Sequence, residues 1–189
     1  MKEVLDAYKA EGADAVDAEY RILSSALCRN ASDENIPNTN YLHGLFLTDL
    51  MLQRARHHIR ILDAASGFAS VSVLKSSFDS ALQRMKEAGD GYLRVILLGK
   101  KTCPVLSQLH NKFGDKVVQY LFARTSTSMR HFIVIDGRMS RIEEVHEPVS
   151  GQSPADLIKA IVCFNNKNRA KAWSEYFDRL WDFMKPGDV

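Results

Sequence analysis

The sequence is poor in the residues that define disulfide scaffolds, zinc sites and membrane spans. It has three cysteines, an odd number, widely spaced at Cys28, Cys103 and Cys163. This spacing fits neither a disulfide framework nor a zinc-ligand pattern. No run of apolar residues is long enough to span a bilayer, and the acidic, interrupted N-terminus lacks the features of a signal peptide. We therefore expect a cytoplasmic protein with reduced cysteines, no membrane span, no metal site and no cofactor.

An excess of charge of one sign is also missing. The chain has 25 Lys and Arg residues against 23 Asp and Glu residues, which gives a formal net charge of +2. Net charge alone therefore does not identify a nucleic-acid-binding protein, although local basic patches remain open. With 189 residues, 46% of them hydrophobic, the chain is long enough for one globular domain with a substantial core, or for one domain with a helical extension.

The N-terminal part of the chain differs in pattern from the rest. Residues 2–28 are rich in Ala, Glu, Lys and Leu and contain no proline, which predicts helix. Asn, Asp, Ser and Pro over residues 29–40 then predict a loop. We expect an N-terminal helical extension and loop over residues 1–40 and a main domain over residues 41–189.

The main domain alternates between helical and strand-like patterns. Apolar residues recur at helical spacing from Tyr41 to about His58. Strand-like and helical segments then alternate in the order IRILDAA, VSVLKSSFDSALQRMKEAG, LRVILLG, SQLHNKFGDK and VVQYLF. A strand, a helix and a second strand in succession imply a right-handed parallel crossover. The first half of the main domain is therefore expected to form a parallel sheet.

A hairpin is predicted further along the chain. The stretch HFIVIDGRMSRIEEV contains two strand-like runs joined at Asp136-Gly137, and Asp-Gly is typical of tight hairpin turns, so both residues are assigned to a structural turn. A strand, IKAIVCF, and an amphipathic helix, KNRAKAWSEYFDRLWDFM, end the pattern. An antiparallel hairpin joined to a parallel crossover predicts an α/β fold, with a mixed sheet flanked by helices on both faces.

This order of elements, over residues 41–184, resembles one half of a phospholipase D superfamily unit. The family signature is His-x-Lys-x-x-x-x-Asp followed by Gly, and its Asp-Gly matches Asp136-Gly137 after the strand FIVI. With that anchor, the lysine position falls on His131 and the position of the nucleophilic histidine falls on Met129. The family's histidine attacks phosphorus, which a methionine thioether cannot do. The resemblance therefore implies a degenerate module that does not run the family's standard hydrolysis.

His131 is the one candidate catalytic residue that remains in the motif. Strand alternation predicts that Met129, His131 and Ile133 share one face of the sheet. If His131 replaced the missing nucleophile, the attacking atom would move by about 6 to 7 Å along the strand. That shift exceeds what in-line attack tolerates. A catalytic His131 would therefore need an altered mechanism.

The second strand of the hairpin adds candidate ligand-binding residues. Arg141 and Glu143 are two residues apart and share a face, so they could form a polar cluster with His131. A guanidinium suits bidentate recognition of phosphate, and Arg141 could clamp one there. The alternative is a satisfied, partly buried histidine beside a same-strand ion pair.

The segment RTSTSMR, residues 124–130, contributes further candidates. It places four hydroxyl groups between two arginines, which could surround an anion with side-chain and backbone donors. Arg124, Ser128 and Arg130 are therefore candidate ligand-binding residues. The alternative is a polar loop that leads into the hairpin strand.

Three functions fit these observations. The first is a non-hydrolytic phospholipase D-like module that binds phosphate, nucleic acid or a partner. The second is an active phosphodiesterase or nuclease that uses His131. The third is a structural interaction domain whose N-terminal helix docks on a partner protein. The resemblance also implies a two-fold homodimer, because the family needs two motif-bearing halves and a chain with one half usually supplies the second by dimerising.

Overall fold

The computed structural model describes residues 2–64, 72–99, 103–123, 129–146, 153–154 and 156–185. They form a seven-stranded mixed sheet with helices on both faces, as predicted. The strands, in chain order, are β1 (Ile36–Asn38), β2 (His58–Ala64), β3 (Tyr92–Leu98), β4 (Val118–Ala123), β5 (Phe132–Ile135), β6 (Met139–Glu143) and β7 (Ala160–Cys163).

The strand order in the sheet is β1-β7-β6-β5-β2-β3-β4. Strands β2, β3 and β4 are parallel, and all other neighbours are antiparallel. The parallel β3 is apolar along most of its length, because parallel strands are covered on both faces. The sheet therefore joins the predicted parallel crossover to the predicted hairpin through the pairing of β2 with β5.

The helices divide between the two faces of the sheet. They are α1 (Lys2–Glu11), α2 (Ala18–Arg29), α3 (Tyr41–Arg54), α4 (Lys75–Ala88), α5 (Pro104–Phe113) and α6 (Lys167–Met184), with a 3-10 turn at Gly12–Ala15. Phe177 and Trp181 of α6 pack on one face of the sheet, against Phe132 and neighbouring apolar side chains. The first five helices belong to the core on the other face. Within the described ranges, no helix has the length and apolar character needed to cross a bilayer.

The N-terminal region departs from the prediction in two ways. The single helix expected over residues 2–28 is divided into α1 and α2 at Gly12, which has a φ of +59°. The expected loop contains β1, which pairs antiparallel with β7. Tyr8 of α1 and Ile36 of β1 are buried in the same core cluster as the helices α3, α4 and α5. The domain boundary at residue 40 stays a prediction.

The hairpin between β5 and β6 is anchored by its turn. Asp136 and Gly137 have φ values of +53° and +61°, as a tight hairpin turn requires at both central positions. The Asp136 carboxylate accepts hydrogen bonds of 2.8 to 2.9 Å from the backbone N–H groups of Arg56, His57 and His58. The turn therefore also fixes the start of β2.

Candidate functional site

A buried polar cluster lies where β6 ends and β5 begins. The backbone N–H of Glu143 donates to the carbonyl of His131 over 2.9 Å, which aligns the two residues across the hairpin. Nδ1 of His131 lies 3.1 Å from Oε2 of Glu143, and Nε2 of His146 lies 3.0 Å from the same oxygen. The two imidazole rings are nearly perpendicular, at 81°, with centroids 5.0 Å apart. We call His131, Glu143, His146, Arg141, Asp63 and Asn38 the buried cluster.

Arg141 is held inside the cluster by internal partners. Its Nη1 bonds Oε1 of Glu143, and its Nε donates to Oδ1 of Asn38 over 3.2 Å. Asn38 in turn donates from Nδ2 to the carbonyls of Asn40 and Ile158. The Arg141 side chain is only 7% exposed. The same-strand ion pair of the alternative interpretation is therefore present, and ligand binding by Arg141 remains a prediction.

The space around this arginine requires a glycine on α3. A Cβ added at Gly44 would lie 2.7 Å from Oδ1 of Asn38 and 3.0 Å from Nη2 of Arg141. Real Cβ atoms essentially never come this close to another heavy atom. The Asn38 amide cannot easily move away, because it bonds two backbone carbonyls, and overpacking of a filled site is destabilising. Helix α3 can therefore lie against the cluster only because position 44 has no side chain.

The two carboxylates of the cluster have opposite pKa shifts. Burial and the nearby charge of Glu143 raise the pKa of Asp63 to about 7. Burial also acts to raise the pKa of Glu143, but the Arg141 guanidinium and hydrogen bonds from both imidazoles hold it well below its usual range. Glu143 is therefore the ionised partner of Arg141. Asp63, with Oδ1 3.6 Å from Nδ1 of His131, is the carboxyl that changes protonation near neutral pH.

Three members of the cluster were missed in the sequence. Asp63 lies near the carboxyl end of the parallel strand β2, where ligand sites of α/β sheets concentrate, and this position could have pointed to it. His146 lies in the polar stretch after β6, and Asn38 lies in a segment that was predicted as a loop. Neither has a local pattern that points to the hairpin.

Met129 lies apart from the buried cluster. We expected it to share a face with His131, but it packs against the apolar cluster on the α6 side of the sheet. The reason is that β5 begins at Phe132, so strand alternation does not extend back to residue 129. Met129 and the exposed Arg130 line an open depression with Trp173 and Tyr176. Arg124 and Ser128 lie outside the described residues.

A second polar region, which we call the basic pocket, lies at the other end of the hairpin. It is an open depression of about 440 Å³ between the β5–β6 turn and the first half of α6. Its lining residues are His58, Arg60, Asp136, Gly137, Arg138, Lys167, Lys171 and Ser174.

The charges of the basic pocket are only partly compensated. Arg60 binds Asp178 on α6 through two hydrogen bonds of 2.9 and 3.0 Å. Among the described residues, Lys171 has one long ionic contact, 3.8 Å from the exposed Glu175. The buried hydroxyl of Ser174 has no hydrogen-bond partner among the described residues. Cationic groups around one concavity suit an oxyanion ligand.

Comparisons with known proteins identify the fold. No protein-family model matches the sequence, and no curated protein matches it. Among solved structures, the chain is similar to TrmBL2, an archaeal chromatin protein, at 15% identity and a TM-score of 0.55, over 87% of this chain and 60% of that chain. This chain therefore aligns with less than two thirds of TrmBL2.

Two further similar structures are Nuc and NucT. Nuc from Salmonella typhimurium, a phospholipase D family member, is 13% identical with a TM-score of 0.54, over 79% of this chain and 95% of that chain. NucT from Helicobacter pylori is 9% identical with a TM-score of 0.51, over 79% and 96%. The chain thus has the phospholipase D-like fold that the motif suggested, and these identities define the fold alone.

Proposed function

We propose that this chain is a non-hydrolytic phospholipase D-like module that binds the phosphate backbone of nucleic acid. The observation that carries the proposal is the basic pocket, in which Arg138, Lys167 and Lys171 surround one depression at the start of α6. Phosphate contacts supply most of the affinity of non-specific nucleic-acid binding. The similarity to TrmBL2, whose structure is described as showing a mode of DNA binding, supports the same ligand class.

The state of the motif supports the non-hydrolytic part of the proposal. Position 129 offers no nucleophile and its side chain lies on the opposite face from His131. The His131 side chain is 14% exposed and is engaged with Glu143. An attacking group needs open access to phosphorus and correct alignment, and a largely buried imidazole that is bonded to a carboxylate offers little access. Purified protein should therefore not hydrolyse bis(p-nitrophenyl) phosphate or DNA, with or without a divalent metal.

An active phosphodiesterase is the alternative that this assay tests. Turnover that is abolished by His131→Ala and absent from a mock-purified control would replace the binding module with an enzyme. The same turnover in His131→Ala would point to a contaminant. Because His131 lies outside the basic pocket, this assay and the binding assay below probe different regions.

Nucleic-acid binding is tested by fluorescence anisotropy with single-stranded and duplex oligonucleotides. We expect a dissociation constant on the order of 10⁻⁵ M at low salt, rising steeply with salt through counterion release. The triple variant Arg138→Gln, Lys167→Gln, Lys171→Gln should bind at least about tenfold more weakly and show a smaller salt slope.

The matched control removes the same charge elsewhere. Lys9, Lys86 and Lys159 are exposed and lie outside the basic pocket, so replacing all three by Gln changes the net charge equally. Equal loss of binding in the two triple variants would exclude a localised site, and no binding by the wild type at low salt would end the proposal. The separate variant Arg130→Gln tests the predicted ligand-binding loop.

A second candidate function is protein binding through the N-terminal helices. Ile22 and Leu23 of α2 are 70% and 59% exposed, and large apolar side chains exposed side by side are typical of interaction surfaces. Replacing both by Ser should leave nucleic-acid binding unchanged and weaken any protein association. If only the association is lost, the module acts through a protein partner.

We further propose a two-fold homodimer, as the resemblance to half a family unit implies. The alignment covers 95% of the Nuc chain, so Nuc has about the extent of the single unit seen here, and this supports the proposal. Sedimentation at tens of micromolar should give a dimer, in a buffer that resembles the cytoplasm, where we expect the protein to reside. A monomer over that concentration range would contradict the proposal.

A further inference from the structure

Three potential metal-ligand atoms converge in the buried cluster. Nδ1 of His131 and Nε2 of His146 lie 3.1 and 3.0 Å from one oxygen of Glu143. All three atoms lie within 4.8 Å of one another. Two ligands at about 2.0 to 2.2 Å from a tetrahedral Zn²⁺ ion are about 3.3 to 3.6 Å apart. The two nitrogen–oxygen separations in the cluster are a few tenths of an ångström shorter, so small side-chain shifts would let these atoms share one ion.

The surroundings of Glu143 orient it as a metal ligand. Arg141 bonds Oε1, so the other oxygen, Oε2, is the one directed at the two imidazoles. Arg141 is fixed in turn by Asn38. Outer-shell hydrogen bonds of this kind hold ligating carboxylates and are a regular part of metal sites. The cluster thus has both the ligand atoms and the supporting contacts of a built site.

The ligand types select the class of ion. Two imidazole nitrogens with carboxylate oxygens favour zinc and similar transition metals, whereas Mg²⁺ and Ca²⁺ prefer all-oxygen sites. Asp63 lies next to these three residues, with Oδ1 3.6 Å from Nδ1 of His131, so a shift of its side chain would bring a carboxylate to the fourth position.

We propose that His131, Glu143 and His146 bind one divalent transition-metal ion of the zinc class, with Asp63 as the fourth ligand. The sequence pattern predicted no metal site, because the ligands come from three separate segments. The ion would link the end of β2 to the end of β6 and so stabilise the folded chain. The proposal goes beyond nucleic-acid binding, since the ligands are distinct from the residues of the basic pocket.

The experiment uses the full chain after removal of metal by a chelator. Co²⁺ serves as the probe, because its visible absorption reports coordination number and Zn²⁺ can then be added to displace it. We expect one equivalent of Co²⁺ to bind with the absorption of a four-coordinate ion, and one equivalent of Zn²⁺ to abolish that absorption. Saturating Zn²⁺ should raise the melting temperature.

Two ligand variants and one matched control locate the site. His131→Asn and His146→Asn should each weaken Co²⁺ binding by at least about tenfold, since even outer-shell changes commonly have that effect. His57→Asn is the control, because His57 lies 3.3 Å from Asp90 in an exposed histidine–carboxylate pair elsewhere. It should bind Co²⁺ as the wild type does.

Clear outcomes would overturn the proposal. Wild-type protein that binds much less than one equivalent of Co²⁺ or Zn²⁺ would exclude the site, as would unchanged binding in both ligand variants. If the variants fail to fold, X-ray absorption on the Zn²⁺-loaded wild type decides, because a spectrum without imidazole scattering contradicts the assignment. Results with oligonucleotides do not bear on this test.

Discussion

The buried cluster and the basic pocket lie at opposite ends of the same three strands, β2, β5 and β6. In the buried cluster, the polar groups pair with one another: Arg141 bonds Glu143, and both imidazoles contact the same carboxylate. In the basic pocket, Arg138, Lys167 and Lys171 face one depression that opens to solvent. Internally paired charges hold elements in place, whereas like charges around an open depression attract a ligand of opposite sign.

Loss of Arg141 should have the largest effect on the free energy of unfolding, and it tests the difference between the two regions most directly. Arg141→Ala leaves Glu143 buried without its guanidinium, and breaking a buried pair in this way commonly costs about 3 to 5 kcal/mol. Urea unfolding of wild type and variant measures the difference. Arg138→Ala, the same substitution in the basic pocket, should change the free energy of unfolding by about 0.5 kcal/mol or less. Similar losses in the two variants would remove the distinction between the regions.

The Asp136 carboxylate should have an intermediate effect. It lines the basic pocket but accepts three backbone hydrogen bonds at the start of β2. Asp136→Ala leaves these donors without an acceptor, at a cost of about 1 to 3 kcal/mol. Asp136→Asn keeps one acceptor and tolerates the positive φ, so it should lose less stability. If thermal unfolding ranks the two variants in the reverse order, the three backbone hydrogen bonds do not account for the stabilisation by Asp136.

A partly exposed group of one carboxylate and two lysines should have the smallest effect. Asp79 lies 3.0 Å from the ammonium groups of both Lys75 and Lys112. Burial acts to raise the Asp79 pKa, but the two ammonium groups outweigh it and hold the pKa below its usual value. A carboxyl with a depressed folded-state pKa contributes stability above its unfolded pKa, near 3.9, and loses it as the pH falls through the folded pKa.

The expected size of this contribution is small because both lysine partners of Asp79 are about half exposed to solvent. Asp79→Asn should lower the free energy of unfolding at neutral pH by less than about 1 kcal/mol, and high salt should reduce the difference further. At a pH well below the folded-state pKa, the variant and wild type should be equally stable. Asp182→Asn, at an exposed site with a long 3.9 Å contact to Lys185, is the control. A loss that persists in acid would show that Asp79 acts by packing.

The fold was predictable because its signals are local and periodic. Helix α6 has the bounds that its amphipathic pattern predicted, and the strands β2 and β3 differ from their predicted ranges by a residue or so. The Asp136-Gly137 turn also fixed the register of the hairpin, which places Arg141 opposite Ile133 and His131 beside Glu143. β1 was missed because three residues with a central proline carry too little pattern to identify a strand.

The two polar regions were predictable only in part, because their residues come together through tertiary packing. Asn38 reaches Arg141 across 103 positions of sequence. Lys167 and Lys171 are ordinary exposed residues of an amphipathic helix until that helix lies beside Arg138. The sequence spacing of such residues is the same in a ligand site as on an ordinary solvated surface. Only the folded structure shows which of the two they form.

Strand β1 affects how the sheet ends. Its central residue, Pro37, is exposed and pairs opposite Ile161 of β7, and proline lacks the N–H that a further strand would need. The first forty residues thus cover an edge that another copy of the chain could otherwise extend. A chain shortened to begin at residue 41 would lose Asn38 from beside Arg141 and leave β7 as a bare edge strand. Such a chain would tend to associate edge to edge into fibrous aggregates. Strand β1 therefore prevents the edge of β7 from pairing with another copy of the chain.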